Sequence, residues 1–185
     1  MVLDAAERLA QTRGFNGFSY ADVAAEVGVT TASLHYHFPG KADLGRALVQ
    51  RYTTTFQAAL AAIVRREARA VPRLEAYAAL YADLLAAGRM CLCGMLAAEY
   101  ETLPRPVQAE VLAFFDANET WLATVLARGL ASKELAFVGT ARDAARHVTA
   151  TLEGAMLLAR PFGDASRFTH DARRTIAGLA SARRR

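Results

Sequence analysis

Three breaks divide the first forty residues of the chain. Gly14 closes one run of helical spacing, Gly28 closes a second, and Pro39-Gly40 closes a third. The pieces between them are predicted as helices over Val2–Arg13, about Tyr20–Val27 and about Thr31–His37. Helices this short hold only by packing on one another, so the segment is constrained to a small three-helix cluster. Leu3, Ala6, Leu9 and Ala10 share one face of the first helix, and the turn "FNGF" delivers Phe15 and Phe18 to the core. Ser19 is placed as the N-cap of the second helix, with Asp22 three residues on as a capping-box partner. Gly28 suits the left-handed position after a helix end, and Thr30 caps the third helix.

Two short helices joined by a glycine turn, the second rich in small polar residues, describe a helix–turn–helix. Ala24 is small where the helices cross, and Leu34 returns an apolar anchor to a core of Val23, Val27, Val29 and Phe38. Thr31, Ala32, Ser33 and His35 are left outside. Short polar side chains let such a helix approach base edges, and Ala32 or a threonine methyl can meet a thymine methyl. Tyr36 and Thr30 can reach phosphates, and Lys41 beside the first N–H groups of the next helix makes a phosphate site. With Ser19, these residues form the candidate DNA-binding set.

The stretch "LDAAERLAQTRGFNGFSYADVAAEVGVTTASLHYHFPGKADL" resembles the N-terminal domain of TetR-family transcriptional regulators, most specifically in its "G-V-T-x-x-S-L-x-Y-H-F-x-x-K" core. "CLCGMLAAEY" also resembles a C-terminal subgroup of that family. The resemblance implies a homodimer bound to a double-stranded operator, with a variable helical ligand-binding domain, usually repressing until a small molecule binds. Two features depart from the family pattern. His35 stands where members usually have tyrosine, with Tyr36 next, so the phosphate contact could fall to either. Members also commonly carry basic residues ahead of the first helix, which here begins almost at once.

The remainder is expected to be helical as well. Five prolines in 185 residues, abundant alanine and few β-branched runs favour an all-α chain of about nine helices. The expected division is a DNA-binding domain at residues 1–46 and an effector-binding and dimerisation domain at 47–185. A helix from about Lys41 to Ala68 buries Leu44, Leu48, Tyr52 and Phe56, and one from Pro72 to about Ala87 carries Leu74, Tyr77, Leu80, Tyr81 and Leu84. A shorter helix passes through Leu96 and Tyr100, followed by long ones at about Val107–Leu130, Thr140–Arg160 and Ser166–Ala182. The last two carry Ala144, Val148, Leu152 and Ala155, then Ile176, Leu179 and Ala180, which predicts a four-helix dimer interface.

An effector cavity is expected to draw its walls from Tyr81, Cys93, Leu96, Phe114, Trp121 and Met156, with Asn118 and Glu153 as polar fixtures. Such a lining suits a largely hydrophobic small molecule. Asn118 is either hydrogen-bonded to a neighbouring helix or a ligand contact. Glu153 is either paired with Arg146 or Arg160 or a ligand anchor. Cys91 and Cys93 are poorly placed for a mutual disulfide. They are either small buried hydrophobes or, with a thiolate stabilised by Arg89, the basis of an electrophile- or redox-sensing regulator.

Charge and motifs set the exclusions. Net charge is +4, but residues 1–50 sum to −1, and the excess comes from Arg183, Arg184 and Arg185. Basicity therefore says little about nucleic acid here. There is no phosphate loop, nucleophile elbow, metal cluster or paired-carboxylate motif, so no enzyme, cofactor or metal is expected. His35 and His37 point away from each other on a helix and cannot chelate one ion. No membrane-spanning or signal segment is seen, and two cysteines fit a reducing cytoplasm. A helical protein-interaction module without DNA binding is the remaining rival.

Overall fold

The computed structural model describes residues 1–180. The three terminal arginines, and the end of the last helix as predicted to Ala182, lie outside the described residues. Nine α-helices and one 3₁₀ turn occur among the described residues: α1 (Val2–Arg13), α2 (Tyr20–Val27), α3 (Thr31–His37), α4 (Lys41–Arg66), α5 (Ala70–Ala86), α6 (Leu92–Ala98), the turn Tyr100–Thr102, α7 (Arg105–Ala131), α8 (Ala141–Phe162) and α9 (Ala165–Leu179). No β-strand occurs among them beyond an isolated bridge between Leu135 and Ala180. No helix among them is long and apolar enough to cross a membrane.

The chain forms two compact units. One holds Met1–Phe56 with Gly88–Phe115; the other holds Gln57–Ala87 with the chain from Asp116 onward. In the first, Ala5, Ala6, Leu9, Phe15, Phe18, Val23, Leu34, Leu44 and Leu48 are buried, and Tyr52, Phe56 and Phe114 pack ring against ring. Gly45 has no Cβ because one would lie 2.7 Å from the Phe15 ring and 2.9 Å from Val107. In the second, Tyr77 stacks on Trp121 with ring centroids 5.5 Å apart, and its hydroxyl pairs with that of Tyr81 at 2.9 Å. Tyr81 in turn stacks on Phe168 of α9.

Local chemistry sets the helix ends. Pro72 and Pro106 lie inside α5 and α7 rather than before them. Each occupies the first turn, where an N–H would have no helical partner. Pro161 likewise fails to stop α8, which runs one residue past it to a left-handed Gly163; so close to the end it removes a single ladder bond. Asp164, whose carboxylate accepts from Ser166 N, starts α9.

The α8 and α9 residues predicted for a dimer interface are used differently. Ala144, Val148, Leu152, Ala155, Ile176 and Leu179 are all buried inside their own protomer. What α8 leaves outside includes His147, Ala150, Leu157, Leu158 and Phe162 beside Asp143, Arg146, Arg160 and Pro161. Helical spacing groups residues onto one face but does not say what covers that face.

Candidate nucleic-acid interface

The reading head is built from caps inward. The Ser19 side chain accepts from Asp22 N while the Asp22 carboxylate accepts from Ser19 N at 2.7 Å, completing the capping box. The Ser19 hydroxyl, which donates to the same carboxylate at 2.5 Å, and then the Ser19 N–H hold the Asp22 carboxyl below the usual carboxylate range. Gly28 takes the left-handed conformation, φ 74°, and its N–H donates to Ala24 O at 2.9 Å. A Cβ there would meet nothing within 4 Å, so backbone conformation alone favours glycine. Thr30 then caps α3 by accepting from Ser33 N at 3.2 Å.

Of the residues of α3, Leu34 alone is buried; Thr31, Ala32, Ser33, His35, Tyr36 and His37 are exposed. Tyr36 projects furthest, 85% exposed, with its ring edge-on to His37. His35 is more constrained. Its ring packs 4.5 Å from that of Tyr20, and Nδ1 lies 3.2 Å from Pro39 O. Tyr20 also donates its hydroxyl to Phe38 O at 2.8 Å, which ties the end of α3 to the start of α2. Burial raises the Tyr20 pKa, with Asp43 adding to it. The anticipated core is smaller than the sequence suggests: Val29 is 39% exposed, and Val27 and Phe38 are half-buried.

Lys41 does not point outward. Its ammonium donates to Phe18 O and sits over the rings of Phe15 and Phe18, 4.8 and 4.5 Å from their centroids. Burial lowers its pKa, against opposing pulls from Glu99 and Asp22. A lysine beside free helical N–H groups looks like a phosphate site in sequence, but here two aromatic faces and a carbonyl hold the charge.

Sequence reasoning missed several partners that position the head. Glu99, one residue past α6, accepts from Phe15 N at 2.6 Å and from Asn16 N at 3.3 Å. Arg51 of α4 bridges Asp4 and Glu7 of α1 at 2.6 and 2.7 Å, and Arg8 reaches Glu26 of α2 at 2.9 Å. Nothing local in the sequence marks these pairs, which are separated by between 18 and 84 positions.

The effector candidates divide between the units. Cys93, Leu96 and Phe114 belong to the first and are buried. Cys91, also buried, caps α6 by accepting from Gly94 N, and Tyr52 donates its hydroxyl to the same sulfur at 3.8 Å. Tyr81, Asn118, Trp121, Glu153 and Met156 belong to the second. Asn118 is 2% exposed, and neither side-chain atom has a hydrogen-bond partner. Arg146 faces Glu119 and Asp143.

Three short helices, two of them capped by side chains and the third with one exposed polar face, define a helix–turn–helix DNA-binding regulator. Residues 2–48 match the family described as bacterial regulatory proteins, tetR family, and residues 70–176 match a tetracyclin repressor-like C-terminal domain. The chain belongs to the TetR family of transcriptional regulators. A TetR-family regulator from Agrobacterium tumefaciens is 37% identical over 97% of this chain and 96% of its own, with a TM-score of 0.94. A TetR regulator from Legionella pneumophila is 30% identical over 96% and 95%, at 0.87. The reduced form of NemR from E. coli, 22% identical over 97% and 96%, shares the fold at 0.84. No curated protein sequence matches the chain.

Proposed function

We propose that the protein is a ligand-responsive repressor that binds a near-palindromic operator as a homodimer and is released by a small, largely hydrophobic effector. The observation that carries this is the composition of α3: a single buried anchor, Leu34, with the small side chains of Thr31, Ala32 and Ser33 and the rings of His35, Tyr36 and His37 left exposed. Thr31, Ala32 and Ser33 read base edges in the major groove, and Tyr36 with Thr30 contacts phosphate. His35 contributes from a ring already braced on Tyr20. In this reading Ser19 acts through its cap rather than at the DNA.

The dimer forms through the outward faces of α8 and α9. Leu157, Leu158 and Phe162 are 54%, 65% and 62% exposed, and Leu158 lines a groove with Ala150, Gly154 and Gly178. A second copy of the same pair covers this apolar surface. The effector is bound by the aromatic side chains of the body, with Asn118 as a polar contact. Release follows if the effector prefers a conformation whose two heads no longer match the groove spacing.

Selection from a random duplex library, followed by fluorescence anisotropy across a salt series, tests the DNA reading. It expects a two-fold symmetric site with half-sites roughly one helical turn, about 34 Å, apart or a multiple of that. Ser33→Ala loses about 1–3 kcal/mol at one base pair and relaxes selection there. No enriched sequence, or a Ser33→Ala variant with the parent's affinity and base preferences, overturns the assignment.

A further inference from the structure

The turn after α1 is a small anion site that the chain fills with its own carboxylate. Gly14 at φ 86° aims the N–H groups of Phe15 and Asn16 at Glu99. A Cβ on Gly14 would lie 2.5 Å from Glu99 Oε1, and φ 86° is strained for any other side chain, so glycine suits both the turn and the place of the carboxylate. A second thread runs beside it: Asn16 Nδ2 donates to Thr102 Oγ1 at 2.7 Å, and Thr102 Oγ1 donates to Glu99 O at 2.8 Å. The held turn continues to Phe18, whose carbonyl takes the Lys41 ammonium, and then to the Ser19 cap of α2. Tyr20 follows at once and fixes α3 through Phe38 O and the His35 ring. The backbone of residues 15–20 and the contacts at its two ends thus join Glu99 to His35 on the exposed face of α3.

We propose that Glu99 is a positioning residue for operator binding: it sets the reading helix by holding the turn at residues 14–16, without touching DNA. The inference rests on the DNA-binding reading above. A head released from this carboxylate spends part of its time with α3 misplaced, and apparent affinity falls by the competent fraction. Charge attraction to phosphate does not need exact placement of Thr30 and Tyr36, whereas base-edge readout does, so binding to an unselected duplex and its salt dependence stay close to the parent's.

The test compares the full-length parent with Glu99→Ala and Glu99→Gln on the selected operator and on a shuffled duplex. Glu99→Ala is expected to bind the operator roughly tenfold more weakly, with shuffled-duplex affinity and salt slope equal to the parent's. Amide exchange at Phe15 and Asn16 should quicken in step. Glu99→Gln, whose amide oxygen still accepts from Phe15 N, should fall between. Parent-like operator affinity in a folded Glu99→Ala overturns the proposal, and so does equal weakening on both duplexes. If Glu99→Ala does not fold, Glu99→Gln decides: parent-like affinity there overturns it. A parent that selects no operator defeats the DNA-binding reading first and this inference with it.

Discussion

Replacing Asn118 by leucine should make the protein more stable. The residue is 2% exposed, and both Nδ2 and Oδ1 lack hydrogen-bond partners. Leaving a buried amide unpaired costs about 1–3 kcal/mol, which the branched apolar side chain does not incur. Leucine is larger than asparagine, and overpacking gives back about 1 kcal/mol or more in a tight site. A net gain of up to about 2 kcal/mol remains, or up to roughly 8 °C in Tm for a chain of this size. The assay is thermal unfolding by circular dichroism at one fixed protein concentration, because dimerisation makes Tm depend on concentration. A destabilised Asn118→Leu would refute the reasoning, since it would mean that the amide is fully bonded and structural. On the proposed role of Asn118 as an effector contact, the stabilised variant should also lose the Tm shift that an effector gives the parent.

Two further outcomes test the head and the dimer separately. Lys41→Met keeps the packing over Phe15 and Phe18 but loses the bond to Phe18 O, so it should cost about 1–2 kcal/mol of stability and leave the salt slope of operator binding unchanged in a series of titrations. A slope shallower by about 0.9 would instead assign the ammonium to a phosphate. Leu158→Glu, at a position 65% exposed in the protomer, should keep the parent's helix content and convert a dimer to a monomer at micromolar concentration in sedimentation velocity. A Leu158→Glu protein that sediments as the parent does places the interface elsewhere.

The parts of the fold legible in sequence are those decided within four or five residues. Ser19 with Asp22, Gly28 at positive φ and Thr30 over Ser33 each act on their own turn, so residue type and spacing suffice. The exposed face of α3 is legible for the same reason, because one apolar residue among polar ones can turn only one way. What was not legible depends on distant chain. Lys41 turns inward because Phe15 and Phe18 offer their faces to it, and Glu99 reaches the α1 turn from 84 positions away. The α8 stripe was found but assigned to the wrong neighbour: Val148 and Leu152 serve the protomer core, while Leu157 and Leu158 are left outside.

The stacking of Trp121 on Tyr77 has a spectroscopic consequence. Trp121 is the single tryptophan of the chain, and it belongs to the unit that begins again at Asp116, whereas α1, α2 and α3 belong to the other. Its emission is therefore a local gauge. A titrant that slides between the indole and the Tyr77 phenol ring, or shifts either ring, should change its wavelength and intensity. Motion confined to the DNA-reading helices should leave it unchanged. Paired with a dye on an operator duplex, the native indole lets one cuvette follow the two halves of the molecule independently, without any introduced label on the protein.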